Sequence, residues 1–371
     1  MPLFKSWVSA ISLPDPLSTS HRRLLLLLRE LSQARGVSGQ EAPIRTVIVD
    51  AIKDHVHEYR IDALGNLIAL KRGTGTARRK VMVAAHMDEI GLMIVHIERE
   101  GWLRFRPVGG IDERVLPSKR VLIGEKGVHG VVGAKPIHLL DERSRQQVMR
   151  MEDLTIDIGA SSREDAERQV TVGDYAVFDT AFVELGGSLR TVRGKAFDDR
   201  AGCAVLIELL TGEYPFDLYA VFTVQEEVGL RGATVAAYAV GPDVAFVLEG
   251  TACDELPRKG DVSSITQMGA GPAITVMDRS VICNPRLVKL LVDTAKVNSI
   301  PYQFKQPMVG GTDAGAIHRS QEGIPTAVVS VPVRYIHSPV SLLSLQDLEN
   351  TIALMRAALN RVSDFDWSQP A

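Results

Sequence analysis

The periodicity of this chain changes twice along its 371 residues, and those changes constrain its fold more than its composition does. Up to about residue 89, helical patterns alternate with short apolar runs. Residues 20–35 read as a helix stopped by Gly36, and Glu41 to Val56 as a second amphipathic helix. Asn66–Leu70 and Val81–Ala85 are short apolar runs of the kind a sheet buries on both faces. From about 90 to 192, glycine and valine become frequent and turn signals recur every eight to twelve residues or so. Short strands are expected there at Arg120–Ile123, Gly130–Val132, Leu154–Ile158 and Tyr175–Phe178, interrupted by one helical stretch, Ser162–Gln169. The first pattern resumes at Asp199. Helices are expected at Arg200–Leu210, Arg231–Tyr238 and Pro285–Val297, and strands at Leu218–Val224, Val244–Leu248 and Thr326–Ser330. A last helix opens with Ser344 and Asp347 at capping-box spacing. The expectation is therefore an α/β layer domain, residues 1–89 and 193–371, split by a β-rich, barrel-like or sandwich-like insertion over 90–192. The first twenty residues, with Pro2, Pro14 and Pro16, read as a loose extension.

Charge and cysteine usage exclude several function classes. Net charge is −3, with no basic block to suit nucleic acid and no polybasic stretch to suit a membrane surface. The run Leu24–Leu28 is far too short to span a bilayer, and the N-terminal segment lacks a signal-peptide core. Cys203, Cys253 and Cys283 are odd in number and form no CxxC, so a disulfide framework is not expected and a cytoplasmic location is.

The polar residues sit at one kind of position. Val81–Ala85 runs into His86-Met-Asp88, Leu218–Val224 into Gln225-Glu226-Glu227, Val244–Leu248 into Glu249, and Thr326–Ser330 into a short segment ending at His337; Asp198 and Asp199 precede a helix. Taken singly, each has an ordinary explanation, such as a polar strand boundary, a helix-dipole complement or a solvated pair. Ligands of α/β sheets bind outside the carboxyl ends of strands, so together these residues deliver two imidazoles and several carboxylates to one edge. That donor mixture suits zinc, cobalt or manganese. Two neighbouring cations repel, so a carboxylate must bridge them, while a carboxylate outside the coordination sphere handles the proton of an activated water. Adjacent Glu226 and Glu227 suit that division, and Asp88 is spaced to hold the His86 ring.

His86-Met-Asp-Glu-Ile-Gly-Leu-Met93, Gly194-Lys-Ala-Phe-Asp-Asp-Arg200, Gln225-Glu-Glu-Val-Gly-Leu-Arg-Gly-Ala233, Gly310-Gly-Thr-Asp-Ala-Gly315 and Tyr335-Ile-His-Ser-Pro339 resemble, in order, the motif set of metallopeptidase family 42. These are the glutamyl, leucyl and deblocking aminopeptidases that form tetrahedral particles, some relatives of which are labelled endoglucanases. Gly36-Val-Ser-Gly-Gln-Glu41 and Asp62-Ala-Leu-Gly-Asn66 fit as well, and the likeness spans roughly residues 22 to 360. The resemblance implies an α/β/α sandwich with a mixed sheet and a β-rich dimerisation domain. It implies a metallo-aminopeptidase that cleaves N-terminal residues from peptides through a metal-bridging hydroxide. Two divalent ions per subunit are implied, with Asp198 bridging, His86 and Glu249 completing one site, and Glu227 and His337 the other. Glu226 would be the general base and Asp88 the support of His86. Many relatives have Asp where this chain has Glu249, whose longer side chain is also able to ligate. Dimers assembling to a dodecamer, a hollow homo-oligomer admitting unfolded peptides, are implied too. Gly311 and Asp313 are candidate substrate contacts. Asp199 is read as a helix N-terminal residue paired with Arg200, and His318 as structural.

Three other readings compete. A deacylase or carboxypeptidase on the same core would need an Arg to hold a substrate carboxylate, and Arg279, Arg319 and Arg334 are available. A glycosidase would need two suitably separated carboxylates flanking a sugar bond, which adjacent Glu226 and Glu227 suit poorly. A non-catalytic binding protein on this fold would have no reason to retain every ligand position and the base.

Overall fold

Helix α1 (Thr19–Gln33) and helix α2 (Ala42–Ile52) come first among the described elements. The computed structural model describes residues 19–76, 79–253, 255, 265–306 and 310–363, so residues 1–18 of the expected extension lie outside the described residues. In α2, Ile44, Ile48 and Ile52 recur every fourth position and form one buried stripe. The helix ends four residues before the expected Val56, because the chain turns there into an edge strand, β1 (Glu58–Ile61), that the sequence pattern did not reveal. All four of its residues are exposed, so neither face of this short strand contributes to a core. Strands β2 (Leu67–Lys71) and β3 (Lys80–His86) follow.

The β-rich segment closes into a barrel. Strands β4 (Gly91–Ile97), β5 (Leu103–Val108), β6 (Arg120–Ile123), β7 (Val128–Gly133), β8 (Thr155–Asp157) and β9 (Tyr175–Phe178) pair in the order β4-β5-β8-β7-β6-β9. Short helices α3 (Glu142–Arg145) and α4 (Arg163–Glu167) sit in its connections. Ile94, Phe105, Val121, Ile156 and Phe178 are among the side chains that fill its interior. β4 and β5 were not expected from the sequence; in β5 the alternation of Leu103 and Phe105 with Arg104 and Arg106 is brief and is cut short by Pro107.

Beyond the barrel come β10 (Val183–Glu184), β11 (Thr191–Gly194), α5 (Phe197–Leu209), β12 (Asp217–Thr223), α6 (Arg231–Val240), β13 (Val244–Cys253), β14 (Ala273–Thr275), α7 (Pro285–Val297), β15 (Gln303–Lys305), α8 (Ala314–Ile317), β16 (Thr326–Arg334), β17 (Ser341–Ser344) and α9 (Leu345–Val362). The large sheet is mixed and runs β1-β2-β12-β3-β13-β16-β17-β11-β10, with β14 joining β16 to β15. β12, β3, β13 and β16 are mutually parallel and form its centre. Their residues alternate between two cores. Val81, Val83 and Ala85 of β3 face the cluster shared with α1, α2, α5 and α9, and Met82 and Ala84 face the one shared with α6 and α8. Helices therefore cover both faces, the layered α/β arrangement that parallel strands require.

Two central strands run further than their apolar runs suggest. β13 continues past Leu248 to Cys253, so Glu249 lies inside a strand instead of at its end, and β16 continues to Arg334. Pro332 reads as a strand breaker, yet opposite β13 it pairs with Thr251, and on its other side it falls between Ser330, the last partner of β14, and Val333, the first of β17. At α9, the Ser344 hydroxyl accepts the Asp347 N–H as expected, but the Asp347 carboxylate turns to the N–H groups of Gly269 and Gly271 instead of back to the cap. Among the described residues no helix is long and apolar enough to cross a membrane.

One contact locks β2, β12 and α6 together. Asn66 accepts the Val224 N–H (3.0 Å) and donates to the carbonyls of Gly232 (3.0 Å) and, through the same amide, the Asp62 carboxylate (2.7 Å). A Cβ on Gly232 would lie 2.3 Å from both Asn66 Oδ1 and the Val224 carbonyl oxygen. Gly232→Ala is expected to cost about 2 kcal/mol or more through this overpacking. Thermal denaturation of the variant checks it, and an unchanged melting temperature would contradict the contact.

Candidate functional site

The parallel order of β12, β3, β13 and β16 brings their carboxyl ends to one edge, and there the singled-out residues meet. His86 is the last residue of β3, in register with Thr223 of β12. Glu226 and Glu227 follow β12, Glu249 lies on β13, and His337 follows β16. Asp198 sits at the start of α5 with non-helical dihedrals. Several side chains around this edge reach their places only through left-handed backbone: Ala196, Gln225, Leu230, Tyr335 and His337 all have φ between 55° and 60°. Such residues cost about 1–3 kcal/mol each and concentrate where geometry is held for function.

Asp198 lies between the two imidazoles. Its Oδ1 is 3.3 Å from His86 Nε2 and its Oδ2 is 3.5 Å from His337 Nε2. Glu249 flanks the first ring at 3.7 Å and Glu227 the second at 3.6 Å. Gly250 leaves the room this needs, since a Cβ there would meet the Asp198 Cα at 2.9 Å. Both rings have their Nδ1 atoms engaged behind them, His86 on the Asp88 carbonyl (3.2 Å) and His337 on the Gly110 carbonyl (2.9 Å). Donation from Nδ1 fixes the tautomer and turns both Nε2 atoms into the cluster.

A second layer holds these groups. The Asp88 carboxylate stands 3.5 Å from His86 Nδ1, and it accepts from the Ser38 hydroxyl (2.6 Å) and from the backbone N–H groups of Glu226 (3.0 Å) and Glu227 (3.2 Å). It therefore positions the two glutamates as directly as it does the histidine. Arg200 does not pair with Asp199, contrary to expectation. Its buried guanidinium instead donates to the carbonyls of Met87 (3.0 Å), Leu31 (2.5 Å) and Ala34 (3.0 Å), anchoring the segment just after His86. Beside it Lys195 and Glu89 form a buried pair at 2.7 Å. Asp199 does act at the helix start, accepting the Gly202 N–H at 2.9 Å.

The electrostatics are those of a site crowded with negative charge. Burial, reinforced by neighbouring carboxylates, pushes Glu226 and Glu249 well above the usual carboxylate range and Glu227 up to about 7. Burial also raises Asp313, to about 6. Burial alone would raise Asp198 too, but the two histidines hold it well below its ordinary value. Burial disfavours charge on His337, yet the Asp198 carboxylate outweighs this and lifts it to about 10. His86 rises for the same reason.

Two overlapping groups could each hold a cation: His86, Asp198 and Glu227, and His86, Asp199 and Glu249, with their ligand atoms within 4.8 Å of one another. Oδ2 of Asp199 is buried with no hydrogen-bond partner, which fits a carboxylate awaiting a metal or a proton. The donor set of imidazole and carboxylate thus fits divalent ions. The sequence reading brought Asp199 to this edge with Asp198 but gave it no metal, because its position before a helix offered a sufficient explanation. Gly110 and Arg200 were also missed as supports; Ser38 lies in one of the matched segments, so its signal was present.

A cavity of about 580 Å³ opens over the cluster. Glu226, outside both candidate ligand groups, lines it together with Gly311. Asp313 does not. It is fully buried behind the wall, where Thr223 donates to its Oδ2 (2.5 Å) and its own N–H reaches Glu249 (3.4 Å), so it supports the cluster instead of touching the space a substrate would fill. His318 bonds the Ala314 carbonyl within its own helical turn, in keeping with a structural role.

Residues 65–354 match the family described as M42 glutamyl aminopeptidase. A putative aminopeptidase of Acetivibrio thermocellus is 44% identical over 335 residues, covering 90% of this chain and 97% of the relative. The lysyl aminopeptidase of Pyrococcus furiosus is 39% identical over 350 residues, covering 92% and 98%. Among solved structures, the TET1 peptidase of Pyrococcus horikoshii, described as able to assemble into a tetrahedron or a large octahedral shell, superposes with a TM-score of 0.80 at 41% identity, covering 90% of this chain and 98% of that one.

The raised groups fix a direction for pH dependence. Glu227 at about 7 against an ordinary 4.5, and His337 at about 10 against 6.5, both bind protons more tightly folded than unfolded. Their contribution to stability is full below the unfolded values and is lost as pH rises through the folded ones. The metal-free protein should therefore melt at lower temperature as pH rises from about 5.5 to about 8.5. Divalent ions take the place of those protons, so the gap between metal-loaded and metal-free melting temperatures should widen over that range. A gap that narrows with pH would contradict the assignment.

Proposed function

The chain belongs to the M42 glutamyl aminopeptidase family and is a peptide hydrolase, and we propose that it works as a two-metal aminopeptidase with Glu226 as its general base. The observation that carries the proposal is the division of labour at the strand ends. Asp198 stands between His86 and His337, while Glu226 faces the cavity and belongs to neither candidate ligand group. In this reading His86 and Glu249 would hold one ion and Glu227 and His337 the other, with the Asp198 carboxylate available to both. The ions, zinc or cobalt, with manganese a third candidate on donor chemistry, would polarise the scissile carbonyl and acidify the attacking water.

The protein's own groups do the rest. Glu226 takes the proton from the water and returns it to the departing amine as the C–N bond breaks. A carboxylate raised by burial is suited to both halves of that transfer near neutral pH. Asp88 fixes Glu226 by bonding its backbone N–H, so the base is held from behind and its side chain is left for the reaction. The crowded carboxylates attract the ammonium of a peptide N-terminus, which favours removal of the first residue over internal cleavage. Asp313, held by Thr223, keeps Glu249 in place from the far side.

We assign the β-rich segment 90–192 to subunit pairing, and expect dimers that assemble into a hollow dodecamer admitting unfolded peptides, by analogy with the shells of the TET1 peptidase. Cys203, Cys253 and Cys283 are all free thiols, in keeping with a reducing cytoplasm.

Glu226→Gln should retain metal and lose turnover by about a hundredfold or more; hydrolysis at the wild-type rate would refute its role. Asp198→Ala should lose both ions, read by metal analysis of the purified variant, and two tightly bound ions would show that the bridge is another residue. Hydrolysis of aminoacyl-p-nitroanilides should vanish with chelator and return with cobalt or zinc.

A further inference from the structure

Asp88 fastens the N–H groups of Glu226 and Glu227, but it is the residue before them, Gln225, that is bent into a left-handed turn, at φ 55°. Such a turn persists only where its surroundings hold it. Glu41, the residue that precedes α2, stands beside it. Glu41 is only 4% exposed and makes no side-chain cap to that helix. Its Oε1 instead accepts the Gly39 N–H (2.7 Å), and its carboxylate faces both the Gln225 N–H and the Asp88 carboxylate. Burial above all, and then Asp88, push Glu41 above the usual carboxylate range, while the amides of Gly39 and Gln225 favour its charge. The segment that carries it has no room to draw back. Gly39 is left-handed at φ 91°, and a Cβ there would lie 2.8 Å from the Tyr175 hydroxyl of β9, while its neighbour Ser38 donates to Asp88 at 2.6 Å.

Two carboxylates buried side by side repel each other, so Glu41 destabilises the fold unless its oxygens are used. Three successive amides, those of Gln225, Glu226 and Glu227, meet these two carboxylates from behind. We propose that Glu41 is a positioning residue for the general base: through the Gln225 N–H it holds the left-handed turn that presents Glu226 to the cavity. Glu41 belongs to neither candidate ligand group and does not line the cavity, so it acts through the backbone alone. This rests on the reading of Glu226 as the base.

The test is a double-mutant cycle on the metal-loaded, full-length protein with Leu-p-nitroanilide, read together with metal content and melting temperature. Glu41→Ala should keep the metal content of the wild type and lose kcat by about tenfold to a hundredfold, with KM within about twofold. Glu41→Gln, which still offers an oxygen to the Gln225 N–H, should restore most of the rate. In the Glu226→Gln background the same Glu41→Ala change should cost less than about twofold, because no base is left to misplace. A purely structural Glu41 at the start of α2 would lower the melting temperature and cost the same factor in both backgrounds. That equality, an unchanged kcat in Glu41→Ala, a loss of metal, or a Glu41→Gln variant as slow as the alanine one would overturn the proposal. Should Glu41→Ala not fold, Glu41→Asp, one methylene short of the Gln225 N–H, takes its place in the cycle with the same expectations. A Glu226→Gln protein as fast as the wild type would instead refute the base itself.

Discussion

Repulsion among buried carboxylates is the constraint on which this structure turns. Asp198, Asp199, Glu226, Glu227 and Glu249 converge on one sheet edge with only two imidazoles among them. Left alone, such a set would spread or take up protons. What prevents spreading is an inner frame of fixed donors. Asp88 receives two backbone amides and a hydroxyl, Asn66 fastens the strand before the glutamates, and Arg200 clamps the backbone around Met87. The left-handed residues around the edge belong to the same frame, since their unfavourable dihedrals persist only because the surroundings hold them.

Much of this was legible in the sequence, for a definite reason. Parallel strands buried on both faces leave uninterrupted apolar runs, and the polar residue that ends each run marks the sheet edge. His86, Glu226 and Glu227 were found that way. Glu249 was found too, but for a reason that was partly mistaken. Its strand continues past it, so the apolar run ended because a buried carboxylate interrupts the strand and not because the strand stops. Pro332 concealed the length of β16 in a similar way, its missing N–H being harmless only because two different neighbours flank the position.

What the sequence hid falls into two kinds. Strands such as β1 and β5 are too short, and too rich in charge, for their brief alternation to stand out from a loop. Long-range supports have no local signal at all. Nothing near Gly110 indicates that its carbonyl lies behind a histidine 227 positions later, and Arg200 beside Asp199 suggested a neighbourly pair where the side chain in fact crosses to a different helix end. Asp313 was placed near the site by its motif, but only packing reveals that it stands behind Glu249 and not before the substrate.

The bond from Gly110 to His337 joins the barrel to the sheet edge. The neighbouring Gly109 is left-handed, and a Cβ there would meet Ile90 at 2.8 Å and Glu227 at 3.3 Å, so this corner leaves no room for a side chain. The two ends of the barrel therefore live under different rules. The exposed stretch around Ile137 and Leu139 makes none of the contacts described for the cluster and, like surface loops in general, is free to vary. The corner at 109–110 is not, because its Gly110 carbonyl is the group that holds the His337 ring from behind. A segment that reads as an appendage thus sets the tolerance to which the whole edge is built.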